Sequence, residues 1–134
     1  MPLADRVVLR SRYTFADTVD HLAKAIVAGG NTLFATIDQA AVAKGVGLDL
    51  RPTTLLIFGN PKGGTPLMEA CPPFALELPL KLVVWEDADG VSVAHPVMAQ
   101  LAQRYGIAGA DPHVVGTDHA LDALTALVSA APKS

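Results

Sequence analysis

Two short apolar segments, separated by a stretch rich in glycine and proline, constrain most strongly how this chain folds. They are residues 53–58 (TTLLIF) and residues 80–85 (LKLVVW). Apart from Lys81, neither segment alternates between apolar and polar residues, and this pattern is typical of strands with packing neighbours on both faces. We therefore predict that both segments lie in the middle of a sheet with helices on at least one side.

The stretch between the two segments begins with residues 59–64 (GNPKGG). Proline lacks an N–H group and glycine readily adopts positive φ angles, so the first strand ends here. Thr65 is predicted to cap a short helix with proline at its first position. The segment is similar to a phosphate-binding loop, but Gly64 occupies the place of that motif's lysine. We favour a structural turn that directs Asn60 and Lys62 outward.

The composition predicts one ordinary globular domain. The chain has 134 residues, of which 51% are hydrophobic and 17% charged, so it can bury a core and does not resemble a disordered segment. The formal net charge of −3 gives no electrostatic basis for binding nucleic acid. The N-terminus shows no signal-peptide pattern, and no run approaches the roughly 18 apolar residues of a membrane span. We expect a cytoplasmic protein with no membrane partner.

We predict no metal site and no cofactor. The histidines, His21, His95, His113 and His119, are too scattered for a recognised zinc spacing. No dinucleotide fingerprint and no redox cysteine pair occurs in the sequence. Because Cys71 is the single cysteine, an intrachain disulfide is excluded, and we interpret its side chain as a buried, inert thiol.

The two ends of the chain predict one strand and three helices. Residues 6–12 alternate in polarity, as in a strand with one wet face that carries arginines. Residues 14–28 and residues 96–105 repeat apolar side chains at helical spacing. Residues 117–129 predict a last helix, for which Thr117 is the N-cap.

A second strand and a linker precede the first apolar segment. Residues 31–37 predict a strand in which the side chains at 33, 35 and 37 share one face. Asp38 follows as the N-cap of a short helix, at a strand end where pockets of α/β sheets also gather. Residues 45–52 then form a linker, and we expect the apolar residues at 46, 48 and 50 to anchor it.

Several of these segments carry a family resemblance. The residues concerned are 15–19 (FADTV), the Ile37-Asp38 pair, 43–50, and the run from 58 to 81 that includes FGNP, GTPLM and ALELPLK. Over residues 13–106 the chain resembles the prokaryotic family called domain of unknown function 302. The resemblance implies a compact α+β domain, a homodimer, and no established reaction or catalytic residue. Members often carry histidine after the Ile-Asp pair, whereas Gln39 stands here.

We therefore predict a single α+β domain over residues 1–134, with a mixed, mostly antiparallel sheet of four to six strands covered by helices. Antiparallel pairing is expected because the Asp-Gly at residues 89 and 90 favours a hairpin after the second apolar segment. The family-like part is residues 13–106, and the C-terminal helix at residues 117–129 follows it.

Three hypotheses for function remain open. The leading one is a homodimeric small-molecule-binding or regulatory protein whose pocket is lined by Asp38, Asn60, Lys62, Thr65 and His95, because polar groups follow apolar strands at these points. The second is an enzyme that uses Asp38 or His95 as general base, with Lys62 holding an anionic group. The third is a structural or interaction module, which would have a large apolar interface and no polar pocket.

Overall fold

Eleven elements make up the chain over residues 5–130, which are the residues that the structure, a computed structural model, describes. The strands are β1 (Arg6–Arg10), β2 (Thr32–Asp38), β3 (Thr53–Gly59), β4 (Leu80–Asp87) and β5 (Gly90–Pro96). The helices are α1 (Phe15–Ala28), α2 (Gln39–Lys44), α3 (Pro61–Ala70), α4 (Met98–Gln103) and α5 (Pro112–Ala126), and a 3-10 helix spans Pro72–Glu77. Residues 1–4 and 131–134 of the predicted domain lie outside the described residues.

The strands form one sheet in the order β1-β5-β4-β3-β2, and every neighbouring pair is antiparallel. β4 is therefore the central strand and β3 lies beside it, which confirms that the two apolar segments are interior strands. The hairpin between β4 and β5 is confirmed as well, since Asp87 pairs with Gly90, whose φ is 127°. The chain is an α+β domain, as the sequence predicts.

One face of the sheet packs against the helices and forms the core. Leu56 and Phe58 of β3 and Leu82 and Val84 of β4 are fully buried on this face. They join buried side chains from four helices, of which α1 and α5 contact the central strand. The helical residues of this core are Leu22, Ile26, Leu67, Met98, Ala102, Val114, Leu121 and Leu124.

The opposite face of the sheet is apolar but only half-buried, and we call it the open face. Successive side chains of a strand point to opposite faces, so Leu55, Ile57, Val83 and Trp85 lie opposite the core residues of β3 and β4. Within residues 5–130 these four side chains belong neither to the buried core nor to the partly buried residues packed against it. The prediction of burial on both faces is therefore wrong for this face, and Trp85 is not a core residue.

The bend after β3 differs from the prediction. α3 begins at Pro61 instead of Pro66, and its N-cap is Asn60 instead of Thr65. The Asn60 side chain accepts a hydrogen bond from the Lys62 N–H at 3.0 Å, and Pro61 supplies the fixed φ that suits a first helical position. The sequence prediction placed the helix start one proline too late, because it treated the two glycines as a loop.

The starts of α4 and α5, and the faces on which the side chains of β2 lie, also differ from the prediction. α5 begins at Pro112 with Asp111 as N-cap, so Thr117 is a buried residue inside this helix and not its cap. β5 extends to Pro96, which therefore does not open α4. The register of β2 shifts at Phe34. Leu33 consequently packs against the core opposite Phe58, whereas the residues at 35 and 37 lie on the open face.

The linker at residues 45–52 is exposed rather than anchored. Val46, Leu48 and Leu50 have exposed fractions of 74%, 62% and 44%. The expectation that their side chains hold the linker to the domain is therefore wrong within the described residues. Asp38, in contrast, caps α2 as predicted, since its side chain accepts a hydrogen bond from the Ala41 N–H at 2.9 Å.

Tyr105, just after α4, is expected to ionise at a higher pH than an ordinary tyrosine. Its hydroxyl donates a hydrogen bond of 2.5 Å to Glu77, and this bond, together with desolvation and the nearby carboxylate charge, raises the pKa of Tyr105. A Tyr13→Phe variant leaves Tyr105 as the only tyrosine, so its ultraviolet titration gives this pKa. Adding Glu77→Gln should lower the titration midpoint, and an unchanged midpoint would contradict the assignment.

The same pKa shift has a consequence for stability. Because the folded-state pKa of Tyr105 is raised, the protonated hydroxyl contributes to the stability of the fold. This contribution is fully present at pH values below the pKa of an unfolded tyrosine, near 10, and it is lost as the pH rises through the folded-state pKa.

Candidate functional site

The bend after β3 borders a cavity of about 530 Å³. We call it the glycine cavity. Its walls come from the end of α1, the start of β2, the first turns of α3 and α5, and the chain entering β4. Its lining residues are Gly29, Asn31, Phe34, Gly59, Asn60, Pro61, Gly63, Gly64, Thr65, Met68, Leu78, Pro79, Leu80, Pro112, His113, Gly116, Thr117 and Ala120. Its volume lies in the range of small-molecule sites.

Two of the lining glycines occupy helix positions where packing does not require glycine. Gly63 lies in α3 and Gly116 in α5. A Cβ added to either residue would meet no heavy atom within 4 Å, and neither has a positive φ. Glycine in a helix costs roughly 0.5–1 kcal/mol relative to alanine. The two residues therefore lower helix stability and leave open space on the walls of the cavity.

The polar groups of the cavity are few and, apart from one histidine, not ionisable. Asn60, Thr65 and His113 are exposed, Asn31 is half-buried and Thr117 is buried. The side-chain oxygen Oδ1 of Asn60 accepts a hydrogen bond from the Lys62 N–H, so the side-chain amide nitrogen remains as a donor. The Thr117 hydroxyl donates to the Val114 carbonyl oxygen at 2.6 Å. The lining thus suits a mainly apolar, uncharged molecule with a few hydrogen-bonding atoms.

The backbone at the start of α3 does not form a phosphate cradle. The Lys62 N–H donates to the Asn60 side chain, and the N–H groups of Gly63 and Gly64 donate to the Asn60 carbonyl oxygen at 3.0 and 3.1 Å. Pro61 has no N–H group. Phosphate-binding loops work by aiming free N–H groups at the anion, and here these groups are already paired.

The predicted pocket residues separate into two groups in the structure. Asn60 and Thr65 both line the glycine cavity. Lys62 is exposed on α3 and is not a lining residue. Asp38 lies at the opposite end of the β2–β3 pair, since it pairs with Thr54 whereas Gly59 pairs with the start of β2. The structure therefore does not bring Asp38 or Lys62 to the cavity.

His95 is a buried residue of β5 and lies away from the glycine cavity. Its Nδ1 is 2.8 Å from the Pro96 carbonyl oxygen, and its Nε2 is 3.5 Å from an Asp122 carboxylate oxygen of α5. Nε2 is buried without a hydrogen-bond partner. A shared cavity for Asp38, His95 and Lys62 is thus absent among the described residues, and the enzyme hypothesis lacks the geometry that it requires.

The described residues contain no group of three or more His, Cys, Asp or Glu side chains that could hold a metal ion. Cys71 is a free cysteine at the C-terminal end of α3, half-buried, and packed against the core.

Sequence reasoning missed the part of the cavity that α5 and β2 provide. Asn31, Phe34, His113 and Gly116 are far from the bend in sequence, and only tertiary packing brings them to it. One signal was present for α5. An Asp-Pro pair at residues 111 and 112 is typical of a helix start, and recognising it would have placed Gly116 inside a helix.

Fold and site together define a small α+β domain with an apolar cavity of ligand size. The family model of Domain of unknown function DUF302 matches residues 7–130, so the chain belongs to this family, as its motifs predict. A solved structure, described as the crystal structure of uncharacterized conserved protein DUF302 from Bacillus stearothermophilus, has the same fold. It superposes with a TM-score of 0.80 at 17% sequence identity and covers 91% of this chain and 96% of that chain.

The chain is also similar to larger proteins named as ion channels. It is 39% identical over 104 residues to Fluoride-specific ion channel FluC 1 of Brucella suis biovar 1 (strain 1330), and these residues cover 75% of this chain and 40% of that protein. The protein of the same name from Brucella abortus biovar 1 (strain 9-941) matches equally, over 38% of its length. The chain thus spans about two fifths of these relatives. None of the helices within residues 5–130 is long and apolar enough to cross a membrane.

Proposed function

We propose that this chain is a small-molecule-binding domain that acts as a homodimer, and that its ligand occupies the glycine cavity. The observation that carries the proposal is the open space beside Gly63 and Gly116, because helix stability is given up there without any gain in packing. The ligand class is a mainly apolar, uncharged molecule of modest size, since His113 is the only ionisable residue among the lining residues. We place the protein in the cytoplasm, where a lone cysteine stays reduced.

Blocking the cavity is expected to weaken ligand binding without unfolding the domain. The neutral dye N-phenyl-1-naphthylamine should bind the wild-type chain with increased fluorescence. Gly63→Leu and Gly116→Leu should each weaken this binding by about tenfold or more, equivalent to about 1.4 kcal/mol, because the new side chain fills the cavity. Their melting temperatures should stay equal or rise, because leucine favours a helix by roughly 0.8 kcal/mol over glycine.

Ala126→Leu is the matched control, because it adds the same side chain to an exposed position of α5 outside the cavity. Its dye affinity should equal that of the wild type. Equal dye affinity in all three variants would exclude the glycine cavity as the site. If the cavity is the site, a screen of metabolites identifies the natural ligand class. The ligands sought raise the melting temperature of the wild type but not that of Gly116→Leu, since a ligand at 100 times its Kd stabilises the fold by about 2.7 kcal/mol.

A second candidate function follows from the Brucella relatives. The chain matches 104 residues of each of them, which are about two fifths of their length. We infer that the matching part of those relatives is a regulatory domain attached to the channel portion. The second candidate function of this chain is therefore that of a regulatory domain that binds fluoride. Sodium fluoride is therefore included in the melting experiments, with sodium chloride as its control. A shift produced by fluoride and not by chloride would favour this candidate over an apolar ligand.

A further inference from the structure

We propose that the ligand of the glycine cavity contains a planar aromatic ring, and that this ring stacks on the side chain of Phe34. The inference rests on the proposed function and deepens it, because it names the ligand class and a residue that selects for it. It concerns the cavity alone and does not depend on the oligomeric state of the chain.

Phe34 carries an aromatic ring that the fold leaves uncovered. Its exposed fraction is 57%, whereas every other Phe, Tyr and Trp side chain within residues 5–130 is half-buried or buried. Phe34 belongs neither to the core nor to the partly buried residues packed against it. Covering such a ring with another apolar molecule is favourable. Because Phe34 lines the glycine cavity, a ligand in that cavity is the molecule that would cover it.

A β-bulge gives Phe34 its position. Leu33 pairs with Phe58 and Ala35 pairs with the adjacent Ile57, so Phe34 is an extra residue without a partner on β3. Bulges re-aim a side chain and are frequent next to functional sites. The bulge thus brings the ring of Phe34 to the cavity, while the residues on either side of it keep their pairing in the sheet.

The backbone beside this ring is free of side chains. A Cβ added to Gly59 would lie 3.6 Å from Cε2 of Phe34 and 3.6 Å from Cβ of Pro79. The ring therefore lies over the side of β3 on which Gly59 has no side chain. Five of the 18 lining residues are glycines, and glycine allows a ligand to approach the backbone closely. Such backbone surfaces can contact the flat face of an aromatic ring.

The chemistry of Phe34 favours an aromatic ligand over an aliphatic ligand of the same size. Stacked and edge-to-face aromatic pairs gain interaction energy beyond the apolar area that they bury, whereas a saturated ring gains only from burial. The lining residues include no Asp, Glu, Lys or Arg, so no strong charge competes with this contact. Phe34 is therefore assigned as a specificity-determining residue of the cavity.

The test compares two uncharged probes that share one carbon skeleton and one hydroxyl group, 2-naphthol and decahydro-2-naphthol. Each probe displaces N-phenyl-1-naphthylamine, whose own affinity is measured for every variant, and the ratio of the two probe affinities is recorded. Phe34→Leu keeps an apolar side chain but removes the aromatic ring, so it should lower the preference for 2-naphthol by about fivefold. Phe34→Tyr keeps the ring and should keep the wild-type ratio.

Phe15→Leu is the matched control, because Phe15 is a half-buried phenylalanine of α1 that lies outside the cavity. Its ratio should equal that of the wild type. An unchanged ratio in Phe34→Leu, or an equal fall in Phe15→Leu, overturns the aromatic stack. In that case the cavity is still the binding site if Gly116→Leu weakens the binding of both probes. If both probes bind Gly116→Leu as tightly as the wild type, the proposed function fails together with this inference.

Discussion

Replacing Phe58 with alanine is expected to lower the free energy of unfolding by about 3–5 kcal/mol. Phe58 has no exposed surface, lies on β3 immediately before the bend, and packs in the core with side chains of β4 and the helices. Removing its ring loses buried apolar area and leaves a cavity that well-packed neighbours fill only in part. Urea unfolding followed by circular dichroism measures the change.

Phe34→Ala is the matched control for this prediction. Phe34 lies on β2 at the position where the register shifts and is 57% exposed. Its loss should lower the unfolding free energy by about 1 kcal/mol or less, because much of the ring already contacts water. Since Phe34 also lines the glycine cavity, the same variant should weaken dye binding. Equal losses of stability in the two variants would contradict the assignment of the core to one face.

The second large effect is expected at Asp118. α4 has no capping side chain of its own, and the Asp118 carboxylate of α5 accepts hydrogen bonds from the Met98 and Ala99 N–H groups at 2.7 and 3.0 Å. A carboxylate at a helix N-terminus satisfies these groups and interacts favourably with the helix dipole. Asp118→Ala leaves both N–H groups without their acceptor and should lower the unfolding free energy by about 2 kcal/mol.

Two comparisons isolate the capping role of Asp118. Asp118→Asn keeps one side-chain oxygen and should lose about half as much stability. Asp20→Ala removes an exposed carboxylate of α1 that pairs with Lys24 at 2.8 Å, and should change the unfolding free energy by about 0.5 kcal/mol or less. If Asp118→Ala and Asp20→Ala had the same small effect, the tertiary cap would contribute nothing to stability.

The predictions from sequence succeeded where local chemistry decides the structure. The apolar runs identified the interior strands, the Asp-Gly pair identified the hairpin, and Asp38 was correctly assigned as an N-cap. Each of these features depends on residues within a few positions of one another, where side-chain and backbone preferences act directly.

The predictions failed where one segment depends on a distant one. Asp38 and His95 were grouped with the bend because each follows or ends a strand. The antiparallel pairing of β2 and β3 puts Asp38 at the end of the sheet opposite the bend. β5 ends on the same side as β3, but His95 lies two strands away and is buried beside Asp122 of α5. Phe34 interrupts the regular alternation of β2, and no local pattern marks that register shift. The cap of α4 comes from α5, twenty residues away, where sequence spacing carries no signal.

The sequence by itself determined the family, the α+β class and the two strands at the centre of the sheet, because motif residues and unbroken apolar runs act through short-range preferences and burial. The tertiary structure alone decided which face of those strands lies in the core and which stays open. It also decided that α5 closes a cavity against the bend after β3. The core face and the cavity both depend on how helices that are distant in sequence pack onto one side of the sheet. The side on which they pack is decided by the apolar surface that the whole chain buries, and not by any single segment.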